Sequence, residues 1–503
     1  MVNQLYYGDN LEVLRRYIKD ESVDLCYIDP PFNSKRNYNQ IYNNIGGEDK
    51  AQAQAFIDTW EWDDHAIRGI DEIITNYHGL FTQQCIALIT GLSNVLGKGS
   101  LLAYLVSMTL RITEIHRVLK PTGSFYLHCD PTSSHYLKLI LDAIFCSQGG
   151  DFLNEIIWSY KTGGISKYWF GKKHDIILFY VKTSKRQYIF NQPKEKAYIP
   201  TLRGRNFAKE KLNAQTDEEG CETCGQKGGF FHLASMRDVW NIQPLFRNNR
   251  ERLGYPTQKP ESLLERIIKA SSNKNDVILD AYCGCGTTVA VCQKLDRQWI
   301  GIDITYQSIS LILKRLEDSF GKQFVDTIKL HGIPKDIESA KALANKADDR
   351  TRKEFEKWAI LTYTNNRAMI NTKKGADKGV DGIGSFYGDK GELEKVIFQV
   401  KSGKVKSGDI RDLLGTMTLE NASIAVFITL ENPTKDMLKT AKSAGFYQNK
   451  FMTHSCDKVQ IITIQDIIEN KQKLNIPLIN EVLKSAEKHK EIRVNQIEMD
   501  LDI

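Results

Sequence analysis

Asp29-Pro30-Pro31-Phe32 directly follows the apolar run Leu25–Ile28 in a chain of 503 residues. Val23–Ile28 suits a buried parallel strand, so the tetrapeptide stands at that strand's carboxyl end, where open α/β sheets put their active sites. The Asp29 carboxylate and a backbone carbonyl, that of Pro30, supply two hydrogen-bond acceptors, and Pro30 and Pro31 fix the loop in advance. Such a pair suits an exocyclic amine on a base. The amine's lone pair is delocalised into the ring, and holding both N–H groups pushes it toward attack. Phe32 offers a flat face on which a base flipped out of a duplex can stack. Alone, the tetrapeptide also reads as a rigid strand-to-loop turn.

A second constellation, Leu279-Asp280-Ala281-Tyr282-Cys283-Gly284-Cys285-Gly286-Thr287-Thr288, follows another apolar run and opens a helical pattern. Glycines there let the backbone approach a ligand, and a helix N-terminus favours a ligand carboxylate. Asp303 closes the next apolar run about 20 residues on, where nucleotide-binding α/β units place an acid for ribose hydroxyls. A dinucleotide site is the rival reading, weakened because Val289 occupies the third glycine position.

Near the C-terminus, Gly375-Ala376-Asp377-Lys378-Gly379-Val380-Asp381-Gly382 precedes the apolar strand Val396–Val400, with Gln399-Val400-Lys401 at its end. Phe355, Trp358 and Ala359 are spaced as on a helix that also carries Glu356. By themselves Asp381 and Lys401 read equally as a loop acid and a strand-end base in solvent. Cys221-x-x-Cys224 near His232 lacks the fourth ligand of a structural zinc site, so no metal is assigned there.

Hydrophobic residues make up 41% and aromatics 10% of the chain, enough for two or three cored domains. No apolar run reaches membrane-span length, and Met1–Asn10 lacks a signal-peptide core. Ten irregularly spaced cysteines suit free thiols, so a cytoplasmic location without membrane contact is expected. The net charge of +6 hides an asymmetry: residues 161–254 hold 18 Lys/Arg against 9 Asp/Glu. Interleaved with Trp169, Tyr188, Phe190, Phe207 and Trp240, that excess suits a polyphosphate backbone, and on charge alone equally a solvated face with a few core aromatics.

The elements that must position these residues read as α/β. Strands are expected at Leu5–Tyr7, Val23–Ile28, Ser124–Cys129, Ile156–Tyr160, Asp175–Val181, Val277–Ala281 and Trp299–Ile302. Helices are expected at Leu11–Lys19, Leu105–Leu119, Tyr136–Phe145, Pro260–Ala270, Thr287–Leu295 and Gln307–Phe320. Lys120-Pro121-Thr122-Gly123 reads as a breaker, and Gly46–Ser100 as a mainly helical insertion. The expected organisation is a catalytic half over 1–181, with that insertion at about 46–100, a recognition region over 182–254, a ligand-binding half over 255–333 and a separate α/β unit over 334–503.

In their order, DPPF first and the glycine loop after a basic stretch, residues 1–320 resemble the permuted beta-type DNA amino-methyltransferases. Ile18–Phe32, His116–Asp130, Asn154–Tyr160 and Tyr255-Pro256-Thr257-Gln258-Lys259-Pro260 share in the match. The resemblance implies a permuted Rossmann-like fold that binds S-adenosylmethionine (AdoMet), with an inserted target-recognition domain. It puts Asp29 and Phe32, with Pro30 and Pro31, at the target base. It puts Asp280, Cys283, Gly284, Cys285, Gly286, Thr287, Thr288, Lys259 and Asp303 around AdoMet, with Asp9 near its adenine ring. Phe32 stands where tyrosine is more usual. An aspartate at the first motif position favours adenine N6, with cytosine N4 as the alternative.

The C-terminal unit, roughly Thr351–Gln465, resembles the Mrr-like branch of PD-(D/E)-x-K nucleases, with Gln399 in place of the usual acid. That resemblance implies Mg²⁺ on Asp381, water activation by Lys401 and a further carboxylate from Glu356. The implied whole is a site-specific DNA methyltransferase acting on double-stranded DNA, with an endonuclease or, because of Gln399, a degenerate DNA-binding domain attached. A homodimer or a restriction-modification partner is compatible with it. Methylation of a protein amide is the enzymic rival, but those enzymes place Asn first and need no basic insert.

Overall fold

A computed structural model describes residues 3–476 and Leu478, except 33–35, 45–46, 59, 162–167, 186, 199–214, 218–228, 247–248, 256, 346–348, 365–366, 372–378, 390–391 and 451–454. Apolar runs fall where buried strands are observed. Val23–Ile28 is a strand buried at every residue, and Val277–Asp280 is another. In chain order the strands of the N-terminal two thirds are β1 (Gln4–Tyr7), β2 (Val23–Ile28), β3 (Arg36–Asn44), β4 (Gly47–Asp58), β5 (Leu119–Cys129), β6 (Asp151–Ser159), β7 (His174–Val181), β8 (Lys194–Tyr198), β9 (Gln215–Asp217), β10 (Gly229–Ser235), β11 (Val239–Asn241), β12 (Val277–Asp280), β13 (Gln298–Asp303) and β14 (Lys329–His331).

Nine of these form one sheet in the order β11-β6-β7-β5-β2-β12-β13-β1-β14. From β5 to β14 all neighbours run parallel, while β7 is antiparallel to both β5 and β6. Strand β2 from the first half lies directly beside β12 from the second, with Leu25 opposite Ile278 and Cys26 opposite Leu279. The two chemical motifs therefore leave neighbouring strands at the same sheet edge, although about half the chain separates them. Two apolar layers sandwich the sheet. One holds Leu14, Leu105 and Ile140 and the other Leu264, Ile267 and Ile309.

The residues read as a mainly helical insertion differ in their first part. Arg36–Asn44 and Gly47–Asp58 pair as an antiparallel hairpin, and helices follow only at Asp64–Thr75 and Gln83–Leu96. The sequence Ala51-Gln52-Ala53-Gln54-Ala55 alternates with period two, which is the strand period and not the helical one. The helix Ser100–Val118 stops before Lys120–Gly123 as expected, but the strand that follows starts earlier than Ser124. β5 begins at Leu119 and runs through Lys120–Gly123, with the register against β2 shifting between Val23 and Leu25. Within the expected recognition region, β8, β10 and β9 make a small antiparallel sheet. Cys221 and Cys224 lie outside the described residues.

The C-terminal unit has its own sheet. Met369–Ile370 (β15), Gly382–Tyr387 (β16), Leu393–Lys401 (β17) and Ile424–Thr429 (β18) come first, then the short pair Phe446–Tyr447 (β19) and Cys456–Asp457 (β20), and last Val459–Thr463 (β21). The order is β15-β16-β17-β18-β21, antiparallel as far as β17 and parallel beyond it. Phe355, Trp358, Phe398 and Val426 build its core. Among the described residues the chain is thus α/β, with a nine-stranded and a five-stranded sheet beside three smaller ones. Among the described residues no helix is long and apolar enough to cross a membrane.

Candidate active site

Asp29 is the first residue beyond β2, and its carboxylate is held by a cation from the second half of the chain. Lys259 Nζ donates to Oδ2 at 2.5 Å across 230 positions of sequence. His128 Nδ1 lies 4.0 Å from Oδ1. The same ammonium sits 5.5 Å from the centre of the Phe32 ring, a cation–π separation. Lys259, expected at the cofactor, is therefore found on the DPPF carboxylate, joining the two halves of the chain.

His128 is the last residue but one of β5, beside β2, and is fully buried. Both its ring nitrogens have partners: Nδ1 meets the Tyr27 hydroxyl at 2.9 Å and Nε2 meets Asp175 Oδ2 at 3.2 Å. The other Asp175 oxygen accepts from the Tyr160 hydroxyl at 3.1 Å. Burial pushes Asp175 up, but His128, Lys259 and Tyr160 together hold it below the ordinary aspartate value. Phe32 stacks on the His128 ring at 5.8 Å, and Trp158 meets that ring edge-on at 5.5 Å. The Phe32 side chain is thus backed by packed rings with fixed hydrogen bonds, which limits its movement.

The second motif leaves β12 and turns tightly into the helix Thr287–Lys294. Gly284 and Gly286 have φ of +48° and +74°, which only glycine adopts without strain. A Cβ on Gly286 would lie 2.7 Å from Ile312 Cγ1, and one on Gly284 3.2 Å from Tyr255. Asp303 at the end of β13 shapes this loop. Its Oδ2 accepts from the Gly284 N–H at 2.9 Å and its Oδ1 from the Thr305 N–H at 2.9 Å. Cys283 and Cys285 are free and buried, and burial pushes both thiols up; they act as small packing residues. Thr287 and Thr288 are buried at the helix start.

Asp280 is 4% exposed. Burial pushes it up to about 7, against hydrogen bonds from Thr288 and the Tyr282 N–H that lower it, and the charges of Asp29 and Asp303 raise it further. Burial likewise brings Asp303 to about 6. A buried acid with two further carboxylates close by at a glycine-lined edge makes a set of acceptors for a cationic ligand. A sulfonium with an α-ammonium group fits that requirement.

Asp9 follows β1 at the same edge, where the Gly8 N–H donates to the Asp303 carbonyl at 2.9 Å. It caps the helix Asn10–Tyr17 and pairs with Arg111 at 2.9 Å. Several residues here escaped the motif reading. Arg111 also donates to Asn10 Oδ1, and Asn10 to the Ala281 carbonyl at 2.8 Å. Arg315, 3% exposed, donates to the Cys285 carbonyl and to Glu261. Glu354, from the helix Asp349–Tyr363, accepts from the Tyr306 N–H and from the Tyr7 hydroxyl. It thereby docks the C-terminal unit beside Asp303.

In the C-terminal unit, Asp381 precedes β16 and its Oδ2 accepts from the Val400 N–H at 2.7 Å, while its own N–H donates to the Phe398 carbonyl. Those two bonds flank Gln399, whose Oε1 is buried with no hydrogen-bond partner among the described residues. Lys401 pairs with Asp409 at 2.9 Å. Residues 375–378 of the motif lie outside the described residues. Glu356 lies on the helix Asp349–Tyr363 as its spacing suggested. No group of three or more His, Cys, Asp or Glu among the described residues is placed to hold a metal.

Residues 23–314 match the family described as DNA methylase, and residues 348–469 one described as restriction endonuclease. The Type II methyltransferase M.HpaI of Haemophilus parainfluenzae is 32% identical over 210 residues, 42% of this chain and 58% of that protein. The DNA adenine methyltransferase YhdJ of Escherichia coli K12 is 27% identical over 314 residues, 62% of this chain and 82% of that protein. The Type II methyltransferase M.BglII of Bacillus subtilis is 31% identical over 219 residues, 41% of this chain and 57% of that protein. The chain thus spans a little over half the length of the first and third of these relatives.

Proposed function

The chain belongs, over residues 23–314, to the N6/N4 DNA methylase family, and from that premise we propose that it transfers a methyl group from AdoMet to adenine N6 in double-stranded DNA. The observation that carries the reading is the adjacency of β2 and β12, which brings the DPPF loop and the glycine loop to one sheet edge. Asp280, Asp303 and the loop Cys283–Thr288, with Asp9 nearby, would hold AdoMet. When bound, AdoMet supplies a methyl group on a cationic sulfur.

The chain's own groups do the rest. Asp29 and the Pro30 carbonyl accept the two N–H bonds of the target amine, which frees its lone pair for attack. Phe32, braced by His128, stacks on the flipped base. The Asp29 carboxylate would take up the proton that the amine loses on methylation. Lys259 keeps that carboxylate paired until the amine arrives. The basic region 182–254 reads the target sequence, and the adenine assignment rests on aspartate at position 29. The test is transfer of tritium from methyl-labelled AdoMet into DNA, followed by nucleoside identification. N6-methyladenine supports the reading, and N4-methylcytosine would move the target.

For residues 348–469 we infer DNA cleavage that depends on Mg²⁺. The Gln399 oxygen beside Asp381, buried without a hydrogen-bond partner among the described residues, suits a hard cation that takes oxygen ligands and keeps several waters. Asp381 and Gln399 would hold the ion, which would polarise a phosphoryl oxygen, and Lys401 would orient the attacking water. Plasmid incubated with Mg²⁺ and no AdoMet tests this. An uncut plasmid, methylated or not, would leave a domain that only binds DNA.

A further inference from the structure

We propose that Tyr168-Trp169-Phe170 is a wedge that enters duplex DNA beside the target base and holds that base out of the stack. The proposal rests on the reading of Asp29 and Phe32 as the base-side groups. These three consecutive aromatic side chains are 87%, 67% and 99% exposed, although folding ordinarily removes such surface from water and exposed apolar patches mark binding sites. The methyl-transfer chemistry described above does not use them.

Their position says what they face. The segment 160–173 joins β6 to β7, whose register pairs Ser159 with His174 and Trp158 with Asp175. It leaves from and returns to the sheet edge that carries Asp29, because β7 lies antiparallel to β5 with Ile176 opposite Cys129. The Tyr160 N–H closes the stem on the Lys173 carbonyl at 3.0 Å. The Tyr160 hydroxyl and His128 Nε2 hold the two oxygens of Asp175, and Phe32 stacks on His128. The stem of the loop and the base-stacking ring thus share one histidine–aspartate pair. Phe170 is three residues from the stem at Lys173, so its Cα lies within about 11 Å of it.

Charge favours nucleic acid as the occupant. Residues 160–173 contain four lysines and no acid, and Lys161 and Lys172 are exposed. That combination suits phosphates flanking an apolar insertion. Removing a base from the stack leaves a gap that an aromatic ring fills, which slows the base's return.

The test uses the full-length protein, with the target sequence taken from modified-base sequencing of DNA from cells that express it. Trp169→Ala with Phe170→Ala is compared with wild type in single-turnover methyl transfer on two duplexes. In one the target adenine is paired, and in the other it lies opposite an abasic site and is already free to leave. The expected result is a loss of at least tenfold on the paired duplex and recovery to within about twofold of wild type on the abasic one. Equal loss on both duplexes, or no loss on either, overturns the wedge while the assignment of Asp29 stands. A wild type that methylates neither duplex overturns that assignment and the wedge with it.

Discussion

Replacing Asp280 with asparagine should make the protein more stable and less able to bind AdoMet, and the two effects should depend on pH in a defined way. Asparagine keeps the shape and an oxygen that can accept from the Tyr282 N–H, as Asp280 Oδ1 does at 3.0 Å. What it removes is a buried ionisation. Asp280 has its pKa raised from 3.8 to about 7. A folded-state value above the unfolded one means the native state pays nothing below pH 3.8 and loses stability as pH rises through 7. At about 1.4 kcal/mol per unit, the wild-type penalty is about 2 kcal/mol at pH 5 and about 4 kcal/mol at pH 8. Denaturant unfolding of wild type and Asp280→Asn should therefore show the variant's advantage growing by about 2 kcal/mol between these pH values. Titration calorimetry should show wild-type AdoMet affinity falling on acidification as Asp280 and Asp303 take up protons, and weak, flatter binding by the variant. An advantage that shrinks toward pH 8, or AdoMet affinity that ignores pH, would refute the reasoning.

Gly284→Val puts a branched side chain at φ +48° against Tyr255, and AdoMet affinity measured by calorimetry should drop by at least about tenfold, roughly 1.4 kcal/mol. Asp175→Asn removes the charge facing His128; kcat for methyl transfer should fall about tenfold while AdoMet affinity stays level, because the group braces Phe32 and not the glycine loop. Lys401→Ala should stop Mg²⁺-dependent cutting of plasmid and leave methyl transfer unchanged, since its partner Asp409 also belongs to the C-terminal unit.

Much of the site was legible because buried parallel strands are continuous apolar runs and their motifs sit at the runs' ends. Asp29 directly follows β2, and Asp280 and Asp303 are the last residues of β12 and β13. Pairings across the chain were not legible. Lys259 finds Asp29 across 230 positions and Arg111 finds Asp9 across 102, and periodicity carries no information at that range. Arg315 and Glu354 were missed for the same reason. The hairpin at 36–58 left a local signal in its Ala-Gln alternation that was outweighed by the helical pattern after Asp63. The brace formed by His128 and Asp175 needed the antiparallel placement of β7 against β5, which no single segment encodes.

The most direct measurement is modified-base sequencing of DNA from cells expressing the wild type or Asp29→Ala. Expected is N6-methyladenine at one recurring sequence with the wild type and none with the variant, whose AdoMet affinity should match wild type in a parallel titration. Methylation that persists in Asp29→Ala, or no methylated base with the wild type, would contradict the assignment of Asp29 and of the reaction.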